Sequence, residues 1–361
     1  MSMNDVRVLE IDTKEFKKNI LKIQEYVGEN VTIMPIIKAN GYGTYINQNL
    51  ELIQNFKIVG VASSDEGKFL RKIGFKNEIF VLNQPDIYEI DKIIENELTI
   101  GLSEIEFVKK IKEYNKKIKV HLEIDTGMGR TGINPNNLKN FINLLDENIK
   151  VEGIYTHFSV ADYDFSYTEE QIEIFEKTIK EAEELLGKLK YKHAGASNGI
   201  INFKKSHYNL VRPGILIYGY KSFDEMFEKI DVNPIAKLKC KITYIKDVEK
   251  GISISYGRTF ISNSKMKIAT IPIGYADGLR RELSNKGYVV IKGKKAKILG
   301  AVCMDSIMVD ISNIDNVKVG EYAYIWDNEI ITLDEIAKQC DTINYEILCN
   351  ISDRVKRQFI L

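Results

Sequence analysis

The chain carries the stretch Ile36-Ile37-Lys38-Ala39-Asn40-Gly41-Tyr42-Gly43, in which a lysine ends an apolar run and a glycine-rich turn follows at once. The run 31–37 predicts a buried parallel strand. Desolvation at the end of such a strand favours the neutral amine of Lys38, which is a Schiff-base nucleophile. A lone lysine there more commonly extends its ammonium to water. Tyr42 favours the functional interpretation, because its phenol stands between two glycines on backbone free to bend toward a ligand.

Outward from this stretch, apolar runs alternate with amphipathic segments. The eight predicted strands are Val31–Lys38, Lys57–Ser63, Glu78–Leu82, Leu98–Leu102, Lys119–Ile124, Val151–Phe158, Tyr191–Ala196 and Leu210–Tyr218. Predicted helices include Thr13–Val27 with Asp12 as its N-cap, Glu104–Tyr114 and Glu169–Leu189. Eight such units predict a TIM-like (β/α)8 barrel, an α/β fold, and favour it over a doubly wound open sheet.

The pattern changes near Asn233, where short runs rich in Val, Ile and Tyr are separated by turns. The runs are Lys237–Ile245, Lys267–Ile273, Gly287–Lys292 and Lys297–Val302, with one helix candidate at Leu333–Cys340. They predict a C-terminal, mostly antiparallel β domain. With a boundary between Gly219 and Asn233, we expect a cofactor-binding barrel over 12–230 and the β domain over 231–361. The segment 1–11 could join the β domain, since Arg7–Ile11 could pair with either domain.

Composition excludes several partners. The 361 residues include 51 Lys and Arg and 51 Asp and Glu, so no global field favours nucleic acid or an anionic membrane. The four cysteines and four histidines have no metal-ligand spacing, so we expect reduced thiols and no metal site. Met1–Asn4 is polar and Asp5 follows, which does not predict a signal peptide, and no apolar run has membrane-spanning length. These features predict a cytoplasmic protein.

Polar residues fall at the carboxyl ends of the predicted barrel strands, where active sites of this fold lie. They are Lys38, Glu123, Asp125, His157, Ser197 and Arg212. Taken singly, Ser197 is better explained as a helix N-cap, Arg212 as a surface ion pair and His157 as a core histidine. Together, a lysine, an arginine and the amides near Gly214 at the loops after the seventh and eighth strands would suit pyridoxal phosphate (PLP).

Seven motifs in order then resemble those of the bacterial alanine racemases, PLP-dependent isomerases built from a barrel and a β domain. The motifs are Lys38–Gly43, Ile124–Gly132, Thr156-His157-Phe158, Arg212–Ile215, Ser255–Thr259, Pro272–Gly278 and Cys303-Met304-Asp305. The resemblance covers nearly the whole chain.

The resemblance implies two catalytic bases. Lys38 would hold PLP covalently and act on one face of the substrate α-carbon, and Tyr256, from the partner subunit of a homodimer, would act on the other. Two bases on opposite faces suit a reaction that removes a proton from one side and returns it to the other. We expect His157 and nearby cations to activate Tyr256, because positive charge favours a phenolate.

Further roles follow from the same resemblance. Arg212 would face the pyridine nitrogen of PLP, which makes PLP a weaker electron sink than an aspartate partner would. The phosphate would be held by Tyr42, Ser197 and the amides near Gly214 and Ile215. The substrate site would be formed by Arg130, Met304, Asp305 and, at its entrance, Tyr275.

Two positions depart from the family pattern. Many members have a carbamylated lysine at the position of Glu123, and we expect Glu123 to supply the carboxylate that orients Arg130 without carbon dioxide. Members usually have a tyrosine at the position of Asp353, where it touches the phosphate and narrows the substrate pocket. A carboxylate there would be repelled by the phosphate, so we expect Asp353 to turn away or pair with a cation such as Arg354.

The sequence therefore predicts a racemase that interconverts L- and D-alanine and supplies D-alanine, a peptidoglycan precursor, in the cytoplasm. Asp353 keeps open a serine or broad-specificity racemase. A fold-related PLP decarboxylase of basic amino acids is disfavoured by Tyr256 and the Cys303-Met304-Asp305 motif, and a non-catalytic PLP carrier by the β domain. A glycosidase with Glu123 and Asp125 as its carboxylate pair leaves Lys38 unexplained.

Overall fold

The computed structural model describes residues 5–114, 116–221 and 230–361. Residues 1–4, on which the signal-peptide expectation depends, and 222–229, within the segment expected to hold the domain boundary, lie outside the described residues. The strands are β1 (Arg7–Asp12), β2 (Thr32–Ile33), β3 (Ile58–Val61), β4 (Glu78–Val81), β5 (Thr99–Leu102), β6 (Ile118–Glu123), β7 (Ile149–Tyr155), β8 (Tyr191–His193), β9 (Leu210–Val211), β10 (Ala236–Lys241), β11 (Tyr244–Val248), β12 (Ser253–Ile254), β13 (Phe260–Ile261), β14 (Met266–Ile271), β15 (Tyr288–Ile291), β16 (Lys294–Leu299), β17 (Ile307–Asp310), β18 (Tyr322–Trp326) and β19 (Lys356–Ile360). The helices are α1 (Thr13–Val27), α2 (Lys38–Tyr42), α3 (Leu50–Ile53), α4 (Ser64–Lys72), α5 (Ile90–Glu95), α6 (Ile105–Ile111), α7 (Leu138–Ile142), α8 (Phe165–Leu186), α9 (Ser197–Asn202), α10 (Leu333–Gln339) and α11 (Asn344–Cys349).

The chain divides into two compact units. The β unit comprises Met1–Phe16, Tyr42–Tyr45 and Pro234–Leu361, and the barrel unit comprises Lys17–Gly41 and Ile46–Asn233. The short segment Tyr42–Tyr45, which begins within the motif Lys38–Gly43, therefore groups with the β unit.

The barrel unit is a ring of eight parallel strands. Strands β3 to β8 pair in sequence order in one sheet, and β2 pairs with β9. Parallel bridges from Ile36 to Gly60 and from Ala196 to Arg212 join these two groups. The predicted barrel is thus confirmed, and the open-sheet alternative is wrong.

The last predicted barrel strand is longer than the strand that the structure contains. Leu210–Tyr218 was expected as one strand, but β9 ends at Val211 and Ile215–Tyr218 forms a 3₁₀ turn. Pro213 has no amide proton for a strand ladder, and Gly214 adopts φ −99° and ψ −102°, which bends the chain. The strand end is therefore short, and Arg212 lies just beyond it.

Helix boundaries follow their caps. Helix α1 spans Thr13–Val27 as expected, and the Glu15 amide donates to Asp12 Oδ1 over 2.8 Å. Helix α8 begins before the predicted start, because Asp164 accepts from the Tyr167 amide and fixes the first turn.

The interior of the barrel contains an aromatic layer. The His121 ring stacks on Phe80 at 4.6 Å between centroids, and the His193 ring stacks on Tyr155 at 5.0 Å. A side chain at Gly101 would place Cβ 2.2 Å from the Tyr155 hydroxyl, so only glycine leaves room for that ring. The layer lies beneath the carboxyl ends of the strands.

The β unit is built on a nine-stranded sheet with the order β11-β14-β17-β16-β15-β18-β10-β1-β19. Its pairings are antiparallel except for β1 with β19. The predicted run Lys237–Ile245 is wrong as one strand, since it divides into β10 and β11 around Ile242. The segment Arg7–Asp12 pairs with β10 and β19, so it belongs to the sheet of the β unit and not to the barrel.

Among the residues that the structure describes, no helix is both long and apolar enough to cross a membrane. Cys240 and Cys340 are buried thiols, Cys303 is half-buried and Cys349 is exposed.

Candidate active site

Lys38 is followed by a left-handed turn. Ala39, Asn40, Gly41, Tyr42 and Gly43 have positive φ values of 51°, 53°, 60°, 54° and 78°. Left-handed backbone costs a non-glycine residue about 1–2 kcal/mol, so this turn persists only if its surroundings hold it. The strain is concentrated on the residues that directly follow the candidate nucleophile.

One carboxylate of the barrel unit fixes the start of this turn. Glu66 accepts the Ala39 amide proton on Oε1 and the Ala62 amide proton on Oε2, each over 2.7 Å. Two backbone donors on one ionised carboxylate form strong hydrogen bonds. Glu66 therefore secures the backbone immediately after Lys38.

Arg212 is the centre of the polar interior of the barrel. Its side chain is buried, with 2% of the residue exposed. Nη1 donates to His193 Nδ1 and its carbonyl at 2.8 and 3.0 Å. Nη2 donates to the carbonyls of Thr156 and Ala194 at 2.8 and 3.0 Å and to His157 Nδ1 at 3.2 Å. Among the described residues, no acceptor meets its Nε–H, so this donor is available to a ligand. The surface ion-pair interpretation of Arg212 is wrong.

His157 is surrounded by cations. Burial, then the charges of Arg212, Arg130 and Lys38, lower its pKa to about 3. These three side chains from different strand ends therefore lie in one electrostatic neighbourhood. At physiological pH the imidazole is neutral, so it cannot supply the positive charge expected for activating Tyr256.

Three of the four histidines, His121, His157 and His193, are distant in sequence but lie close together around Arg212. His193 accepts from Arg212 on Nδ1, so its proton is on Nε2, which lies 2.8 Å from His121 Nδ1. Burial lowers the pKa of His121 to about 3 and lowers that of His193 well below its usual value. Both rings are therefore neutral hydrogen-bonding groups that support Arg212.

Glu123 is a buried carboxyl at the end of β6. Its Oε1 accepts from the Thr131 hydroxyl over 2.9 Å, and among the described residues Oε2 has no hydrogen-bond partner. Burial raises its pKa, while the Thr131 hydroxyl, the nearby Tyr155 hydroxyl and then the charges of Arg130 and Arg212 act in the opposite direction. The hydroxyl of Thr131, rather than the guanidinium of Arg130, makes the direct contact with this carboxyl.

Asp125 has a local structural task. Its Oδ1 accepts the amide protons of Gly127 and Gly129, each over 3.0 Å, which shapes the loop that follows. This use of the carboxylate gives no support to a glycosidase pair with Glu123.

The loops after the seventh and eighth barrel strands meet at Ser197. Its Oγ accepts from the amides of Gly214 and Leu216 at 3.1 and 3.3 Å. Ser197 is therefore not the N-cap of α9, which is Ala196. Gly214 and Ile215 are buried. A hydroxyl and backbone amide donors nevertheless converge at this point.

A second set of motifs gathers within the β unit. Ser255, before Tyr256, donates to the Ala301 carbonyl over 2.6 Å and lies 3.4 Å from Cys303 Sγ. The Tyr275 amide donates to the Cys303 carbonyl over 3.0 Å. Tyr256 is 74% exposed, and Met304 and Tyr275 are also exposed. The proposed second base thus stands on a surface of the β unit.

Buried Asp277 connects this surface with the C-terminal loop. Arg354 Nε lies 3.2 Å from Asp277 Oδ1, and its Nη2 lies 2.7 Å from Asp305 Oδ1. Arg354 is therefore occupied by these two carboxylates and is not the partner of Asp353. Instead, Asp353 accepts a hydrogen bond from the hydroxyl of Tyr45.

Sequence reasoning missed several of these residues. Ser63 and Glu66 have capping-box spacing, and Ser63 does accept the Glu66 amide, but the pattern gives no sign of the bond to Ala39. Tyr45 and Arg357 also carried no recognisable signal, because their contacts join segments distant in sequence.

Comparison with known proteins identifies the family. A family model for the N-terminal domain of alanine racemase matches residues 11–222, and one for the C-terminal domain matches 235–359. The chain is 39% identical to an alanine racemase of Halothermothrix orenii, over 97% of this chain and 96% of that protein. It is 37% identical to one of Methanococcus maripaludis, with 97% and 98% covered. The structure matches an alanine racemase of Clostridium difficile 630 with a TM-score of 0.93 and 34% identity, covering 99% and 96% of the two chains.

The barrel followed by a β domain is the two-domain architecture of the alanine racemases, which are isomerases. The chain belongs to the alanine racemase family.

Proposed function

We propose that the chain is a PLP-dependent racemase that interconverts L- and D-alanine. The observation that carries the proposal is the match to both domain models of the alanine racemase family along nearly the whole chain. The gathering of Lys38, Arg130 and Arg212 around His157 supports it independently, because a cationic site at the strand ends suits an anionic cofactor and an amino-acid carboxylate.

The residues present fit PLP. Arg212 has its Nη protons on protein acceptors and its Nε–H without one, and an arginine keeps its proton, so it would donate to an unprotonated pyridine nitrogen. Tyr42, Ser197 and the amide of Ile215 would hold the phosphate, and Gly214, whose amide already donates to Ser197 Oγ, would shape the turn beside it. When bound, PLP withdraws electrons from the substrate α-carbon and makes its proton removable.

The proton then moves through two side chains of the protein. We assign Lys38 Nζ to one face of the α-carbon and the Tyr256 hydroxyl to the other, so that one group removes a proton and the opposite group returns one. Arg130 would supply positive charge at the substrate site, Met304 and Asp305 would shape the site of the substrate carboxylate, and Tyr275 would line the entrance.

We propose a homodimer with shared sites. Tyr256 is 74% exposed and Met304 51% exposed, which suits residues that a second copy would cover. In the same proposal, residues 12–230 form the PLP-binding part and 231–361 with 1–11 form the β part. The enzyme would act in the cytoplasm and supply D-alanine for peptidoglycan.

The substrate is tested by α-proton exchange in deuterated water with PLP and both enantiomers of alanine, serine, lysine and ornithine. We expect alanine to exchange fastest. Faster exchange of serine or of a basic amino acid would contradict alanine as the preferred substrate and would support that other amino acid instead.

The cofactor attachment is tested separately. Borohydride reduction followed by peptide mass spectrometry should place the cofactor on the Lys38 peptide, and Lys38→Ala should abolish both this adduct and racemisation. Lys68→Ala, at an exposed lysine of α4, is the matched control and should retain both. An adduct retained in Lys38→Ala would contradict the assignment.

A further inference from the structure

Tyr45 occupies an unusual backbone position in the β unit. Its φ is +63°, in the left-handed region that a bulky residue adopts only when its neighbours hold it there. The Arg357 guanidinium lies over its ring, 4.4 Å from the centroid. Its hydroxyl donates to Asp353 Oδ1. Two contacts from the 351–357 loop, whose last two residues open β19, therefore hold the side chain of Tyr45.

Arg357 connects this loop to the segment Tyr42–Tyr45 directly. Its Nε donates to the Gly43 carbonyl over 2.9 Å. Nη1 donates to the carbonyls of Val355, over 2.8 Å, and Ser352, and Nη2 donates to that of Ile351. One half-buried guanidinium thus fixes the curvature of the loop and the backbone next to Tyr42.

The segment has little freedom to shift. A Cβ at Gly43 would lie 2.4 Å from the Leu348 carbonyl oxygen, so the backbone is already in close contact there. Tyr42 is buried, and its ring packs against Tyr345 with centroids 6.1 Å apart. The position of the Tyr42 phenol is consequently set by the surface formed by α11 and the 351–357 loop.

We propose that Tyr45, Asp353 and Arg357 are positioning residues that orient Tyr42 and thereby set the affinity of the protein for the phosphate of PLP. The inference rests on the proposed function, in which Tyr42 binds that phosphate. It also assigns Asp353 a partner within the protein: its Oδ1 receives the Tyr45 hydroxyl proton, so the residue is a structural acceptor rather than a receptor for a basic substrate side chain.

The experiment compares two ligands that differ only in the phosphate. Equilibrium dissociation constants of PLP and of pyridoxal are measured by fluorescence on the cofactor-free full-length protein. Tyr45→Phe and Asp353→Ala should each weaken PLP binding by about tenfold, the range expected for a hydrogen bond to a charged group. The double variant should lose no more than either single variant, because both remove the same bond. Pyridoxal binding should change by less than about twofold.

Two further variants separate positioning from general damage. Asp353→Asn keeps an acceptor oxygen and should restore part of the PLP affinity, and Tyr88→Phe, at a tyrosine that is 88% exposed, should bind both ligands as the parent does. Equal weakening of PLP and pyridoxal, or no change in either, would overturn the positioning role. A parent protein that binds neither ligand would instead show that the proposed function itself fails.

Discussion

Arg212 Nη1 donates to His193 Nδ1 over 2.8 Å, and this bond sets the proton positions of two buried imidazoles. His193 must carry its proton on Nε2, where it can donate to His121 Nδ1 at 2.8 Å. Arg212, His193 and His121 therefore form a chain of directed hydrogen bonds in which both imidazoles are neutral. This chain lies beneath the candidate site and holds the guanidinium in place without a paired carboxylate.

The first prediction concerns acid stability. Burial lowers the pKa of His121 to about 3, below the value near 6.5 of an unfolded histidine. The unfolded state therefore gains a proton first, and stability falls as the pH decreases from about 6.5 toward 3. His121→Phe should reduce this loss by about 1.4 kcal/mol per pH unit and leave the dependence above pH 7 unchanged. Urea unfolding of the parent and of the variant at pH 4.5, 5.5 and 7.5 measures this pH dependence of stability.

A direct readout avoids any folding defect of that variant. Nitrogen-15 NMR of the parent protein should show His193 and His121 as single neutral tautomers that do not titrate between pH 5 and 9. A titration midpoint near 6.5 for either ring would contradict the buried chain.

The second prediction concerns Glu123. Burial raises its pKa above that of an unfolded glutamate, so the folded state favours the neutral acid. The stabilisation is fully present below the unfolded value and is lost as the pH rises through the folded value. Glu123→Gln keeps the acceptor for Thr131 and removes the charge, so it should be the more stable protein at pH 8, with the difference disappearing near pH 4. Greater stability of the parent at pH 8 would mean that the ionised carboxylate is well paired.

The third prediction concerns Glu66. Glu66→Gln replaces one acceptor oxygen by an amide that faces a backbone donor, so it should cost about 1–3 kcal/mol of unfolding free energy. Glu184→Gln, at an exposed position of α8, is the matched control and should change little. Equal denaturation midpoints for both variants would show that Glu66 does not hold the turn after Lys38.

The fourth prediction separates backbone strain from crowding. Gly28 and Gly43 have φ values of +90° and +78°, but a Cβ meets nothing within 4 Å at Gly28 and lies 2.4 Å from a carbonyl oxygen at Gly43. Gly28→Ala should cost about 1 kcal/mol from the left-handed backbone alone. Gly43→Ala should cost at least about 2 kcal/mol more, because the backbone must shift. Similar thermal unfolding temperatures for Gly28→Ala and Gly43→Ala would contradict the close contact at Gly43.

Local patterns predicted most of the barrel and part of the site. Alternating apolar runs predicted the eight strands, and Asp12 predicted the start of α1, since both signals depend on neighbours in sequence. Lys38, His157 and Arg212 were found because the carboxyl ends of parallel strands meet. Strand β9 ends early because the chain bends at Gly214, and the continuous apolar run in the sequence gives no sign of this bend.

The remaining features depend on long-range contacts. The bonds from Glu66 to Ala39 and from Arg357 to Gly43 join a side chain to a backbone group far along the chain, and such bonds leave no periodic pattern. The positive φ of Ala39 is likewise imposed by tertiary structure, because alanine disfavours the left-handed region.

The most direct test of the two-base account is α-proton exchange of L- and D-alanine in deuterated water, with PLP, by the parent and by Tyr256→Phe. The parent should exchange both enantiomers. The variant should lose exchange of one enantiomer by about 100-fold or more, the usual contribution of a positioned acid or base, and keep most of the exchange of the other through Lys38. Equal loss for both enantiomers would contradict the assignment of Lys38 and Tyr256 to opposite faces.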